Sequence, residues 1–266
     1  MKFLLIGNGF IAPIHKEAIK NIQGEIVGIV DESQGEEKWR EEVAKTNADC
    51  VVVLTPNDLH FEMAKTASEC GKTVLCEKPL ALSSGHVKIL AEKPNIFTVF
   101  QLRHHPLAKE LKAEINNEKK YNVEIDVSVY RDEHYYKCWK GQKERSGGVL
   151  FNLGVHFFDL LLYLFGPAEK IKTTFLNPKT GKGTIGGKNY ACNWRISTDE
   201  TKENQRRVFK IDGKDYNFSS KDNLAYENLH RFVYQDLMEG RGVTPKEALK
   251  VIELIENLYE SYEKKN

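Results

Sequence analysis

Phe3-Leu4-Leu5-Ile6-Gly7-Asn8-Gly9-Phe10-Ile11-Ala12 decides the fold. Its four leading apolar residues read as a strand, and Ile11 to Ile22 read as the helix that follows. Between them lies a G-x-G-x-x-A turn. Gly7 permits a tight bend, Gly9 lets backbone amides approach a pyrophosphate, and Ala12 still allows close helix–strand packing. The helix N-terminus then turns its unpaired N–H groups toward the phosphates. Alone the pattern is weak, because a plain strand–helix turn can carry the same spacing. It gains weight from Asp31, which closes the next apolar run, Ile26-Val27-Gly28-Ile29-Val30. An acidic side chain there accepts from adenosine ribose hydroxyls and repels a 2′-phosphate, so NAD is expected rather than NADP.

Outward from this unit, short apolar runs alternate with helical stretches. Glu36 to Lys45 reads as a helix, Cys50 to Leu54 as a third strand, and Leu59 to Cys70 as a helix stopped by Gly71. Thr73 to Cys76 and Ile96 to Phe100 complete the strands, with a helix at Ser83 to Glu92 between them. Near-continuous apolar strands joined by helices imply a parallel sheet covered on both faces, a doubly wound α/β architecture of Rossmann type. Beyond about residue 118 the grammar changes. Tyr121 to Arg131 alternates polar and apolar residues, as in a sheet covered on one face only. Further strands are expected at Lys170 to Phe175, Asn189 to Ser197 and Gln205 to Ile211. Asp212-Gly213 then signals a hairpin before Tyr216 to Phe218. Helices are expected at Tyr226 to Met238 and from Pro245, which Thr244 caps. The expectation is an NAD-binding domain over residues 1–101, then an α+β domain over 102–266 with an open, mainly antiparallel sheet.

The 266 residues are 41% hydrophobic and 29% charged, ordinary for a globular chain, with a net charge of +1. Such a balance gives no general pull toward nucleic acid or a membrane, and an anionic ligand must be held by local cations. The apolar start is too short for a signal peptide, and the longest apolar stretch, Leu160 to Phe165, reads as core. Five cysteines without C-x-x-C spacing argue against a disulfide framework and for a reduced, cytoplasmic setting.

Thr55-Pro56-Asn57 ends the third strand and Glu77-Lys78-Pro79 the fourth. In an open parallel sheet these ends line the ligand crevice. A lysine is most often a solvated surface charge. Its place at a buried strand end, with Pro79 stiffening the turn, favours a ligand role for Lys78. The second informative segment runs from Gly147 to Asp159. In a helix, Asn152, His156 and Asp159 fall at i, i+4 and i+7 and share a face. A histidine there can take a hydroxyl proton as hydride leaves the carbon, although a buried histidine bonded to a carbonyl is the plainer reading. A metal held by His156, Asp159 and His104 or His105 lacks a second pair at ligand spacing, and no metal is expected. Gln101-Leu102-Arg103-His104-His105 follows a strand at the crevice end. Arg131 to Gly141 mixes cations with aromatics, which suits a sugar or base beside phosphate charge and equally an ordinary polar loop.

With these motifs placed, the chain resembles the Gfo/Idh/MocA oxidoreductases over nearly its whole length. The resemblance rests on the Gly7–Ala12 turn, Thr55-Pro56-Asn57 with His60, Glu77-Lys78-Pro79, and Gly147 to Asp159. It implies an open-sheet C-terminal domain that carries substrate determinants and much of a homo-oligomer interface, dimeric or tetrameric. It implies Lys78 and His156 as catalytic residues, with Asn152 orienting the reacting hydroxyl where many members carry aspartate. Cofactor contacts are implied for Gly7, Gly9, Phe10 and Ile11, for Asp31, Thr55 and Asn57, and for His60, Glu77 and Lys78. Within the family, Gln101 to His105, Tyr136 to Gly141, Phe151 to Asp159 and Glu239 to Gly242 look like the members that oxidise the 3-hydroxyl of UDP-N-acetylglucosaminuronate for surface polysaccharides. That likeness implies a UDP-sugar substrate contacted by Gln101, Arg103, His104, Tyr136 and Lys140 beside Asn152 and His156. It also implies 2-oxoglutarate as a recycling oxidant. Another sugar or cyclitol as substrate, or an NAD-binding protein without turnover, are the alternatives. One departure is visible: a single short helical stretch separates Asp31 from the third strand, where relatives run longer.

Overall fold

The apolar runs of the first hundred residues pair into one parallel sheet in the computed structural model, which describes residues 1–35, 37–218 and 229–264. In chain order this part holds β1 (Lys2–Ile6), α1 (Ala12–Asn21), β2 (Glu25–Val30), α2 (Lys38–Lys45), β3 (Cys50–Val53), α3 (His60–Glu69), β4 (Thr73–Cys76), α4 (Ser84–Ala91) and β5 (Ile96–Thr98). The strands lie in the order β2-β1-β3-β4-β5. Cys50 to Val53 are fully buried, as a strand covered on both faces requires. The expected helix at Glu36 to Lys45 begins outside the described residues, and α2 is seen from Lys38.

Next come α5 (Pro106–Glu114), β6 (Tyr121–Ser128), α6 (Glu133–Lys137), α7 (Lys143–Ser146), α8 (Val155–Phe165), β7 (Ala168–Leu176), β8 (Thr180–Gly187), β9 (Tyr190–Ser197), β10 (Arg206–Ile211) and β11 (Lys214–Asp215). They build a six-stranded sheet in the order β11-β10-β6-β9-β8-β7, antiparallel except where β6 pairs β9. Along β6, Val123, Ile125 and Val127 are buried while Glu124 is exposed, the alternation read from sequence. Helix α8 covers the buried face, with Phe158 edge-on to Trp194 at 5.4 Å. β8 was not expected. Its glycines let backbones close in: a Cβ on Gly183 would stand 2.1 Å from the Lys172 carbonyl oxygen. The hairpin strand is shorter and earlier than expected. Asp212 and Gly213 both take positive φ, so pairing resumes at once with Ile211 opposite Lys214, and Tyr216 to Phe218 form no strand.

The chain ends with α9 (His230–Met238) and α10 (Pro245–Glu263). Tyr226, where the first of these was expected to start, lies outside the described residues. Thr244 Oγ1 accepts from Glu247 N–H, and Glu247 Oε2 accepts from Thr244 N–H, a reciprocal cap for α10. Two compact units result: Met1–Gln101 with Asn228–Leu249, and Leu102–Glu227 with Lys250–Asn266. Residues 102–266 therefore do not form the single uninterrupted domain expected. The reason is apolar: Val233, Tyr234 and Leu237 of α9 pack into the core of Phe3, Leu5, Ala18, Ile19 and Val52. The apolar stretch near Leu160 is also longer than its sequence reading. Lys143–Phe165 is a 23-residue helical run of mean hydropathy 1.7 in its best window, and 78% of that window is buried inside the fold. All five cysteines are free thiols.

Candidate functional site

The first unit carries the residues expected at a dinucleotide. Gly7 takes φ +103°, and a Cβ there would stand 2.7 Å from the Leu54 carbonyl oxygen, so only glycine fits between β1 and the end of β3. A Cβ on Gly9 would meet nothing, which leaves the turn open to close approach from outside. The turn leads into α1, whose first turn carries no acidic side chain to compete with an anion. Lys16, not singled out in the sequence, donates to Asn8 Oδ1 at 2.7 Å and brings a cation to the same loop. Phe10 beside it is 80% exposed, and Ile11 is half-buried.

Asp31 stands at the end of β2 and caps a one-turn 3-10 helix, Glu32–Gln34. Its carboxylate accepts from the Ser33 hydroxyl and from Ser33 N–H at 3.0 Å. Those bonds hold its pKa below the usual carboxylate range, so it presents a negative charge where a ribose is expected.

At the neighbouring strand ends stand Thr55 and the buried Asn57, and across from them the Glu77-Lys78-Pro79 turn with a cis Lys78–Pro79 peptide. Glu77 is buried, Lys78 half-buried. His60, on the first turn of α3, is fully buried, with Nδ1 2.7 Å from the Pro79 carbonyl oxygen and Nε2 2.9 Å from that of Thr55. The ring thus sits between backbone carbonyls of two strand ends and, when neutral, donates to one of them. Glu77 Oε1 lies 2.9 Å from His15 Nε2 and 3.5 Å from His230 Nε2. His15, Glu77 and His230 offer ligand atoms within 4.8 Å of one another, a cluster that the sequence, with these residues spread from α1 to α9, did not show.

The second unit carries the remaining candidates. The helix expected through Gly147 to Asp159 is broken by a π-turn at Leu150–Gly154 before α8 begins. Gly147 and Gly148, both with positive φ, open this segment, and Tyr259 clasps it by donating to the Gly147 carbonyl at 2.9 Å. π-Turns inside helices are frequent at functional sites. Here the wide turn carries Asn152, with His156 directly after it, 9% exposed. Asn152 and Asp159, expected to share a face with His156, have different partners. Asn152 donates to Tyr135 Oη at 2.7 Å. Asp159 takes a two-pronged bond from Arg103, 2.9 Å from Nε and 2.6 Å from Nη2, and both side chains are largely buried.

The remaining sequence candidates divide. Gln101 and His104 are buried in a short 3-10 turn. Tyr136 donates to the Thr198 carbonyl at 2.8 Å. Lys140 lies over the Tyr135 ring at 5.9 Å, as Arg131 does at 5.2 Å. Burial lowers the Lys140 pKa and raises that of Tyr135. Tyr135 and Arg131 were missed in sequence, where only their cation–aromatic composition drew notice.

The first unit thus has the build of a dinucleotide-binding domain, and the second that of a sheet-backed partner domain. Residues 1–101 match the family model described as an oxidoreductase family, NAD-binding Rossmann fold, and residues 113–184 match the C-terminal alpha/beta domain of the same family. The chain belongs to the Gfo/Idh/MocA oxidoreductases.

Among solved structures it is similar to the WlbA (WbpB) dehydrogenase of Thermus thermophilus in complex with NAD and UDP-GlcNAcA. That match has 28% identity, 96% of this chain, 93% of that one and a TM-score of 0.83. The same enzyme with NAD and alpha-ketoglutarate matches at a TM-score of 0.86, again at 28% identity, over 97% of this chain and 94% of that one. Among curated proteins it is 30% identical over 190 residues to glucose-6-phosphate 3-dehydrogenase of Bacillus subtilis, covering 62% of this chain and 53% of that protein. Inositol 2-dehydrogenase of Rhizobium meliloti is 25% identical over 189 residues, 62% of this chain and 55% of its own. The chain spans about half the length of these curated relatives.

Proposed function

We propose that the chain oxidises the 3-hydroxyl of UDP-N-acetylglucosaminuronate to the 3-keto sugar with NAD+, as a cytoplasmic step of surface-polysaccharide synthesis. The observation that carries this reading is the similarity, over 96% of the chain, to a dehydrogenase solved with NAD and UDP-GlcNAcA. The first unit suits NAD: the Gly7–Gly9 turn is open, α1 points its N-terminus there, and the Asp31 anion disfavours a 2′-phosphate. NAD+ supplies the hydride acceptor.

His156 takes the hydroxyl proton as the carbonyl forms, a task suited to an imidazole near neutral pH. Lys78 hydrogen-bonds the same oxygen and stabilises its developing charge. Asn152, held by Tyr135, orients the hydroxyl. Lys140, with Arg131 and Tyr135 around it, meets the sugar-nucleotide charge that the near-neutral chain requires a local cation to hold. Arg103 contributes by fixing Asp159 of α8. 2-Oxoglutarate as recycling oxidant is supported by the alpha-ketoglutarate complex of the Thermus thermophilus relative. A homo-oligomer is proposed through the outer face of the second sheet, where Glu124, Asp126, Lys182, Thr184, Asn193 and Arg195 line a shallow cavity of about 470 Å³.

Purified chain with NAD+ and this sugar should accumulate reduced nicotinamide or 3-keto product, and Lys78→Ala and His156→Ala should each be nearly inactive. Full activity in either variant refutes the assigned roles. The second reading, a dehydrogenase of a free sugar phosphate or cyclitol, is favoured by the curated relatives. It predicts that UDP alone does not raise the melting temperature, whereas the leading reading predicts that UDP does.

A further inference from the structure

Glu77, Lys78 and Pro79 lie between two fully buried imidazoles on different helices, His15 of α1 and His60 of α3. A carboxylate only accepts, so His15 Nε2 carries the proton that meets Glu77 Oε1 at 2.9 Å. In the neutral ring Nδ1 then accepts from the Tyr234 hydroxyl at 2.8 Å. The other carboxylate oxygen, Oε2, accepts the backbone N–H of Lys78 at 3.2 Å. One unbroken chain of bonds therefore runs from α9 through α1 to the peptide nitrogen of Lys78. On the far side, His60 donates to the Pro79 carbonyl or to the Thr55 carbonyl, and to both when protonated.

This arrangement is costly as a stability device. Burial pushes the Glu77 pKa up, but the hydrogen bond from His15 and the nearby His230 imidazole outweigh it and hold the group well below the carboxylate range. A buried pair of this kind is often matched or bettered by apolar residues of similar size. What apolar residues cannot do is hold the two peptide groups that flank the Lys78–Pro79 bond in one orientation.

We propose that His15 and His60 are positioning residues that lock the backbone on both sides of Lys78 and so determine where its amine stands. The proposal rests on the reading that Lys78 acts on the substrate oxygen. With the backbone held, the four-carbon stem sets how far the Lys78 amine reaches. Groups facing the chain of bonds are His230, edge-on to His15 at 4.9 Å, Tyr234 and Cys76, with Lys78 itself and His60 beyond.

The test uses the full chain with His15→Leu, His15→Gln, His60→Gln and Tyr234→Phe. NAD+ affinity, kcat and the spectrum of reductively 13C-methylated lysines are measured, the Lys78 signal being assigned by its loss in Lys78→Arg. His15→Leu and His60→Gln should lower kcat about 100-fold, the scale of an ångström-sized misplacement, and shift the Lys78 signal. For His15→Leu, NAD+ affinity should stay within about threefold, because His15 is fully buried and the Gly7–Gly9 turn is untouched. His15→Gln, which restores a donor to Glu77, should recover about tenfold or more of the loss. His15→Leu leaves a buried carboxylate without its donor and is the variant most exposed to unfolding. Tyr234→Phe, which removes only the far hydroxyl, is the milder probe, with a kcat loss of about threefold to tenfold. Folded His15 and His60 variants with wild-type kcat and an unmoved Lys78 signal overturn the proposal. So does activity that falls only in proportion to the unfolded fraction. A stoichiometric divalent metal in the purified chain, lost in His230→Leu, would replace the proton chain by a metal site. If wild-type chain turns over no UDP-sugar, the substrate reading fails, while the Lys78 signal still decides this one.

Discussion

Tyr135 and Tyr136 are neighbours with opposite assignments. Tyr135 accepts from Asn152 at 2.7 Å, and Tyr136 reaches the Thr198 carbonyl. Tyr135→Phe should cost about 1 kcal/mol of orientation at Asn152, read as a several-fold fall in kcat/KM with little change in melting temperature. Tyr136→Phe should do the reverse, lowering the melting temperature and sparing kcat/KM. Equal effects of the two on turnover would contradict the assignment. Composition pointed to this stretch, but two adjacent residues on the one-turn helix α6 point about 100° apart, and sequence does not say which faces the site. Arg103 shows the same limit. As an isolated cation near a strand end it reads as a substrate grip, and only the folded chain brings Asp159, 56 positions away, to its guanidinium. The bend at Gly7 and the place of Asp31 at the end of β2 were legible because local backbone geometry sets them.

At the scale of elements, the π-turn before α8 depends on Gly148. It takes φ +77°, and a Cβ there would stand 2.6 Å from Tyr259 Oη, the hydroxyl that clasps the Gly147 carbonyl. Gly148→Ala should therefore destabilise by about 1–3 kcal/mol through backbone strain and a displaced Tyr259. It should lower kcat as well, because Asn152 and His156 ride on this segment. Differential scanning calorimetry with steady-state kinetics checks both, and an unchanged melting temperature would contradict the account. The strands of the first sheet were plain in sequence because burial on both faces writes a continuous apolar run. β8 was hidden because its residues are chosen for what they lack, a Cβ that would strike a neighbouring backbone. The π-turn was hidden because no residue pattern distinguishes one wide turn from an ordinary one in an apolar helix.

For the whole molecule, the buried histidines set an acid limit. Burial lowers the pKa of His15 and of His60 from the usual 6.5, the hydrogen bonds to Glu77 and to the carbonyls opposing it only in part. Below 6.5 the unfolded chain thus binds more protons than the folded one, and stability is lost as pH falls. Glu77, held well below its usual 4.5, acts in the same direction: its contribution is present above 4.5 and lost as pH drops through its lower folded value. The melting temperature should fall steadily from about pH 7 to about pH 5 and steeply below about pH 4.5. A flat or rising curve would contradict the neutral, buried state of these rings. The division of the chain was legible only in part, since α9 joins the first unit through Val233, Tyr234 and Leu237, whose spacing marks an apolar face but not the core it enters.

The central claim, oxidation of a nucleotide sugar at the expense of NAD+, is tested most directly by substrate choice. NAD+-loaded chain is mixed separately with UDP-N-acetylglucosaminuronate, myo-inositol and glucose 6-phosphate, and nicotinamide reduction is followed together with the keto product. Reduction with the nucleotide sugar and not with the other two is the predicted result. Reduction with inositol or glucose 6-phosphate and none with the nucleotide sugar would contradict it.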